Sequence, residues 1–167
     1  MAVEQSHRIG VPKETMARER RVAATEQTVK DWAKLGFQVL IEKGAGEAAD
    51  IGDELYRAAG AQIVSTVEAW QCELVLKVNA PTMVEIDQLQ AGATLISFLW
   101  PAVNKDIVEA LAKKKITALA MDQIPRISRA QKMDALSSMA NVAGYRAVIE
   151  AAQHFGGFFT GQITAAG

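Results

Sequence analysis

The chain has 167 residues, of which 50% are hydrophobic and 22% charged, so we expect one folded domain, or one domain and part of a second. The 18 Lys and Arg residues nearly balance the 19 Asp and Glu residues, and this near-neutral charge argues against nucleic-acid binding. The single cysteine, Cys72, excludes an intrachain disulfide and a cysteine-based zinc site, and we expect no bound metal ion. The lone cysteine also favours a reducing compartment. We expect no targeting signal, because residues 1–7 lack an apolar signal core. We expect no membrane insertion, because the longest apolar stretch, 95–103, is short and contains Pro101.

Short apolar runs alternate with helical patterns along the chain. The predicted strands cover residues 8–11, 37–41, 63–64, 74–78, 94–99 and 116–121. The predicted helices lie between Thr25 and Gly36, before Gly60, and after Asn104, which we expect to cap its helix. Strands that alternate with helices indicate βα units. We therefore predict an α/β fold with a mostly parallel sheet and flanking helices, Rossmann-like or flavodoxin-like.

A longer helical pattern follows the last predicted strand. Ser128 and Gln131 have the spacing of a capping box, and apolar residues then recur at helical spacing until about His154. We predict an α/β domain at residues 1–127 and a long connecting helix within residues 128–167.

The four prolines, Pro12, Pro81, Pro101 and Pro125, each lie at or shortly after the end of a predicted strand. Strand termination explains them, because proline cannot donate to a sheet ladder. In a parallel sheet they would also mark one edge, the carboxyl edge, where open α/β sheets bind their ligands.

A glycine-rich segment, 44–49, follows the second predicted strand and has the pattern G-x-G-x-x-A of a dinucleotide fingerprint. We predict an ordinary turn instead. Glu47 would place a carboxylate where the pyrophosphate should lie, and Asp50, Gly52 and Asp53 follow where an apolar helix is required.

Several cations have two possible roles. The loop arginines at 18, 20 and 21 are either solvated charges, or one of them turns inward to hold a carboxylate or a loop. Lys77 lies in an apolar run, and it is either paired or extends its amine past the end of the strand.

The richest polar cluster runs from Pro125 to Ser138. Arg126 precedes Gln131, Asp134, Ser137 and Ser138, which lie on neighbouring positions of a helix. The cluster is either a capped, charged helix start or a ligand site that offers donors and acceptors. No Ser/His/Asp or Cys/His arrangement accompanies it, and His154 suits a helix C-terminus better than catalysis.

Three segments, 8–14, 21–25 and 76–81, resemble the amino-terminal part of the alanine dehydrogenase and proton-translocating transhydrogenase superfamily. Residues 125–147 resemble the transhydrogenase alpha subunit in particular, and the resemblance covers the chain after about residue 7.

Trp100 separates the two branches of the superfamily. The resemblance implies that alanine dehydrogenases carry a catalytic histidine at this position, and an indole cannot replace its proton exchange. Arg21 and Lys77 match the substrate-carboxylate residues of that branch, so we interpret them here as inherited scaffold.

The resemblance to the transhydrogenase branch implies an NAD(H)-binding component that passes hydride directly from NADH to NADP, with NADP(H) held by a partner component. The residues matching its nicotinamide site are Arg126, Ile127, Ser128, Arg129, Gln131, Asp134, Ser137 and Ser138, with catalytic roles expected for Gln131 and Asp134. It also implies a homodimer, membrane-bound partner components, and a peripheral position on the cytoplasmic side of the bacterial inner membrane.

In that family a second Rossmann domain follows, and this sequence stops where its first strand should begin. We expect the chain to bind NAD weakly or not at all by itself. An alanine-type amino-acid dehydrogenase and a free-standing interaction module are the alternatives.

Overall fold

Six strands form one parallel sheet in the computed structural model, which describes residues 7–161, 163 and 165. The strands are β1 (Arg8–Val11), β2 (Gln38–Glu42), β3 (Gln62–Val64), β4 (Leu74–Leu76), β5 (Thr94–Ser97) and β6 (Thr117–Ala120). Their order, β3-β2-β1-β4-β5-β6, is that of a Rossmann sheet, and every neighbouring pair is parallel. The predicted α/β class is confirmed, and the strand order selects the Rossmann-like alternative.

Among the described residues, six α-helices connect and follow the strands. They are α1 (Glu26–Lys34), α2 (Asp53–Ala59), α3 (Thr66–Trp70), α4 (Met83–Gln88), α5 (Lys105–Lys113) and α6 (Ala135–His154). The sequence-based prediction did not include α3 and α4. Both begin with a full capping box, in which Ser65 pairs with Glu68 and Thr82 with Glu85.

The core lies on both faces of the central strands. Val39, Leu40 and Ile41 are consecutive and all buried, because α1 packs on β2 from one side and α3 from the other. Gly10 of β1 permits this close packing. A Cβ at Gly10 would lie 1.9 Å from the carbonyl oxygen of Ala69, so α3 approaches the sheet only where that strand lacks a side chain.

The chain divides into two compact units, the first ending at Ile124 and the second beginning at Pro125. The boundary predicted at residue 127 remains a prediction. Within the described residues, no helix combines the length and the apolar character needed to cross a membrane.

The start of the long helix differs from the prediction. Residues Ser128–Met133 form a 3₁₀ helix, and α6 begins only at Ala135. Ser128 makes no capping hydrogen bond, so the predicted capping box is wrong; Asp134 caps α6 instead. Asn104 precedes α5 as expected, but its amide donates to the Leu99 carbonyl, 2.8 Å away, and makes no capping bond.

Candidate functional site

A buried ion-pair network lies where β1 and β4 end, at the point where the strand order reverses. The Lys77 Nζ lies 2.9 Å from Glu14 Oε2 and 3.5 Å from Glu85 Oε1, and its side chain is only 2% exposed. Glu14 also accepts hydrogen bonds from the Val78 N–H at 2.6 Å and the Asn79 amide at 3.1 Å. Of the two roles considered for Lys77, the structure shows the paired one. Glu14 therefore ties the loop after β1 to the end of β4, at the edge where Rossmann sheets bind their ligands. A pocket of about 580 Å³ opens there, and Glu14 and Glu85 both line it.

The loop after β1 is fixed by a second ion pair. Arg21 donates from Nε and Nη2 to the two carboxylate oxygens of Glu19, at 2.8 Å and 2.6 Å. The Asn79 amide donates to Glu19 Oε2 at 2.9 Å, so it bridges Glu14 and Glu19. The guanidinium of Arg21, together with the Asn79 amide, lowers the pKa of Glu19 to about 2 although burial opposes this. Arg21 therefore holds a carboxylate of its own loop. Arg20 is paired as well: its Nη2 lies 3.6 Å from Asp50 Oδ2, and its Nε donates to the Ala48 carbonyl at 2.9 Å.

Trp100 occupies an unusual backbone position just after β5. Its φ is +49°, in the left-handed region that bulky residues seldom adopt, and its side chain is about half exposed. Asp122 stabilises this conformation, because its Oδ1 accepts from the Leu99 N–H at 2.6 Å and from the Trp100 N–H at 3.2 Å. Phe98 stacks on the indole with ring centroids 6.4 Å apart. The roles of Asp122 here and of Glu14 and Asn79 in the crevice were missed, because no local pattern signals such long-range bonds.

The glycine-rich segment is a turn, as predicted. Only a short 3₁₀ helix, Glu47–Ala49, follows Gly46. A Cβ at Gly46 would lie 2.5 Å from the Ile51 carbonyl oxygen and 2.7 Å from the Tyr56 ring, so this glycine serves packing.

A pocket of about 270 Å³ opens in the second unit, beside the start of α6. Its lining consists of Arg126, Ile127, Ser128, Gln131, Asp134 and Ser137, all of which belong to the predicted site. The other two predicted residues, Arg129 and Ser138, do not line this pocket.

Asp134 and Ser137 form a closed pair at one side of the pocket. Asp134 is 7% exposed, and its Oδ1 accepts from the Ser137 N–H at 3.0 Å while its Oδ2 accepts from the Ser137 hydroxyl at 2.5 Å. The bonds from Ser137, the hydroxyl first, hold the pKa of Asp134 below its usual range. Ser138 donates its hydroxyl to the Asp134 carbonyl at 3.3 Å. Both carboxylate oxygens of Asp134 are therefore occupied within the protein.

Arg126 and Gln131 contribute donors that the protein leaves open. Both side chains are exposed, and neither makes a hydrogen bond to another of the described residues. The charge of Arg126 acts on Asp134 and helps to lower the pKa of that carboxyl. The pocket thus combines open donors with a prepaired carboxylate and hydroxyl. Within residues 7–161, no cluster of three His, Cys, Asp or Glu side chains could hold a metal ion.

Comparison with known proteins places the chain in a family. The family model described as "Alanine dehydrogenase/PNT, N-terminal domain" matches residues 10–143. The NAD(P) transhydrogenase subunit alpha of Haemophilus influenzae is 57% identical over 159 residues, which cover 95% of this chain and 31% of that protein.

Two solved structures share the fold. The transhydrogenase of Sinorhizobium meliloti superposes with a TM-score of 0.90 at 40% identity, over 96% of this chain and 48% of that one. An L-alanine dehydrogenase superposes with a TM-score of 0.68 at 36% identity, over 70% of this chain and 33% of that one. The chain therefore spans between 31% and 48% of the length of these relatives. It belongs to the alanine dehydrogenase/PNT amino-terminal domain family, and among these relatives it is most similar to transhydrogenase alpha subunits.

Proposed function

We propose that this chain is the amino-terminal part of the NAD(H)-binding component of a proton-translocating NAD(P) transhydrogenase. The pocket between Arg126 and Ser137 receives the nicotinamide end of NADH and holds it for direct hydride transfer to NADP. The observation that carries the proposal is the unpaired Gln131 amide and Arg126 guanidinium in a pocket lined by the residues that the transhydrogenase resemblance singles out.

The residues of this pocket suit a pyridine carboxamide. When bound, the reduced nicotinamide supplies the hydride. Gln131 offers both a donor and an acceptor to the amide, and Arg126 adds a cation. Because no side chain in the pocket has to exchange a proton, the protein contributes by fixing the ring in one orientation.

We extend the proposal to the partner components, the oligomeric state and the location of the protein. NADP(H) is bound by a partner component, and the hydride transfer between the two nucleotides has the Re/Si specificity of this enzyme class. Membrane components of the complex couple that transfer to proton translocation. The NAD(H) component forms a homodimer and lies peripherally on the cytoplasmic side of the bacterial inner membrane. Residues 128–167 form a connecting helix and the start of a second Rossmann domain. By itself the chain binds NAD weakly or not at all, and submicromolar affinity in calorimetry would contradict this.

Features of the first unit argue against the alternative, an alanine-type dehydrogenase. Lys77 and Arg21, which match that branch's carboxylate ligands, are each already paired with glutamates, and Trp100 offers no acid or base. The test is reductive amination of pyruvate by an enzyme in which this chain replaces the matching segment of the Haemophilus influenzae subunit, assembled with the other subunits. Turnover of pyruvate and ammonia without hydride transfer from NADH to NADP would favour the alternative.

Gln131→Asn in that assembled enzyme tests the pocket. The shorter side chain shifts its amide by one methylene, so we expect hydride transfer to slow by about tenfold or more while NADH affinity changes by less than about threefold. Single-turnover kinetics and equilibrium titration measure the two quantities. Gln153→Asn makes the same change on an exposed position of α6 outside the pocket and should alter neither. Equal losses of rate and affinity would refute the orienting role.

A further inference from the structure

We infer that the pocket distinguishes a pyridine carboxamide from a pyridine carboxylate, because the Ser137 hydroxyl is held so that it can only accept a hydrogen bond. This inference rests on the proposed function and names the ligand chemistry of the same pocket: dinucleotides with a primary amide on the ring are bound, and their nicotinic acid counterparts are disfavoured.

The polarity of Ser137 follows from its partner. A serine hydroxyl has one proton, and here that proton is donated to Asp134 Oδ2 at 2.5 Å. An ionised carboxylate accepts and never donates, so the direction of this bond is fixed. The other oxygen, Oδ1, is occupied by the Ser137 N–H at 3.0 Å. The hydroxyl therefore presents only lone pairs to the pocket.

A ligand group beside Ser137 must then be a donor. The NH₂ of a carboxamide meets this requirement, while its carbonyl oxygen suits the open donors of Gln131 and Arg126. A carboxylate would place an acceptor against an acceptor and a negative charge close to Asp134, which is itself negative.

Arg126 acts in the opposite direction, since its guanidinium attracts a carboxylate. Arg126 is exposed, and exposed ion pairs change an affinity by no more than about fivefold. The Ser137 hydroxyl is also exposed in the free chain, but a ring seated in the pocket covers it. A covered hydrogen-bonding group that faces the wrong partner costs roughly five- to 150-fold in affinity. We therefore expect the amide to be preferred.

The experiment compares NADH with reduced nicotinic acid adenine dinucleotide as hydride donors for the assembled enzyme containing this chain. We expect kcat/KM to favour NADH by about tenfold or more. Equilibrium titration of both dinucleotides gives the same ratio independently of turnover.

Asp134→Asn reverses the polarity of Ser137 with almost no change in shape. The Ser137 N–H requires an acceptor, so the asparagine oxygen faces it and the NH₂ turns to the hydroxyl oxygen. The hydroxyl proton is then free to donate into the pocket. Asparagine caps helices as well as aspartate does, so α6 should remain intact by circular dichroism. We expect the preference for NADH to fall at least fivefold, and Ser137→Ala to reduce it as well.

Asp106→Asn is the matched control, because it makes the same substitution in the first turn of α5, outside the pocket. It should leave the ratio unchanged. If neither dinucleotide supports hydride transfer, the proposed function fails. If NADH is used and the two dinucleotides react equally well, or if Asp134→Asn leaves the ratio unchanged, only the inference about Ser137 fails.

Discussion

The two polar regions of this molecule use similar residues in opposite ways. The first unit contains what we call the edge network, in which each charged group is paired with another group of the protein: Lys77, Glu14, Asn79, Glu19 and Arg21. The pocket of the second unit also combines cations, carboxylate and amide, but its Arg126 and Gln131 side chains are left open to solvent. Polar groups that satisfy one another hold a fold together, whereas groups with unused donors can hold a ligand.

Burial is the physical cause of the difference. Lys77 and Glu14 have side chains that are 2% and 4% exposed, so a charge without its partner would be costly there. The Arg126 and Gln131 side chains are hydrated, so they can remain unpaired in the absence of a ligand without the cost of an unpaired buried group. The comparison predicts that substitutions in the edge network change stability, and that substitutions of the open pocket residues change activity.

The largest effect on stability should come from Lys77→Met. It leaves two buried carboxylates, Glu14 and Glu85, without their cation, and such a loss costs about 3–5 kcal/mol of unfolding free energy. Urea unfolding measures it. Lys30→Met, at an exposed position of α1, should cost less than about 0.5 kcal/mol.

Adding Glu14→Gln to Lys77→Met should recover part of the loss, because one of the unpaired charges is removed. A double variant as unstable as the sum of the two single variants would show that Lys77 and Glu14 do not act as a pair.

Glu19→Gln should have an intermediate effect that depends on pH. The pKa of Glu19 is lowered to about 2 in the folded protein, so the ionised form contributes stability above its unfolded pKa of about 4.5. That contribution is lost as the pH falls from about 4.5 towards 2.

We expect a loss of about 2 kcal/mol at pH 7, discounted because Arg21 is 41% exposed, and a flatter stability curve between pH 4.5 and 2. Urea unfolding at several pH values measures both. Glu26→Gln at the start of α1 is the control, and an identical pH profile for the two variants would exclude the Glu19–Arg21 pair as the cause.

The smallest effect on stability should come from Arg126→Ala. Since its guanidinium is exposed and makes no hydrogen bond to the described residues, we expect a change below about 0.5 kcal/mol. In the assembled enzyme, however, hydride transfer should fall by about tenfold or more, because a donor of the pocket is gone. A variant that is destabilised yet fully active would reverse the contrast between the two regions.

Local sequence patterns were sufficient for the central strands and the overall class of the fold. Apolar runs such as Val39–Ile41 are long enough to be recognised as buried strands, and Gly60 ends α2 in the left-handed conformation as its position suggested. The short helices α3 and α4 escaped prediction because five or six residues give too little periodicity. Their capping signatures, Ser65 with Glu68 and Thr82 with Glu85, were present and could have revealed them.

The pocket shows where sequence reasoning stops. The spacing from Arg126 to Ser137 was sufficient to propose one site. The start of the long helix was wrongly predicted at Ser128, because Ser128 and Gln131 have the spacing of a capping box. The structure gives that role to Asp134, whose carboxylate reaches the Ser137 N–H. Both Ser128 and Asp134 are residue types that can cap the start of this helix, and only the backbone conformation shows which one does.

The order of apolar and polar residues by itself determined that this chain forms a parallel α/β sheet and carries its open polar cluster after the last strand, because periodicity and turn residues act over a few positions. Tertiary structure alone decided that Lys77 is neutralised by Glu14, that Trp100 is held by Asp122, and that the Ser137 hydroxyl is turned towards Asp134. Except for the last, these contacts join residues more than twenty positions apart, and the direction of each hydrogen bond depends on atoms that only the folded chain brings together.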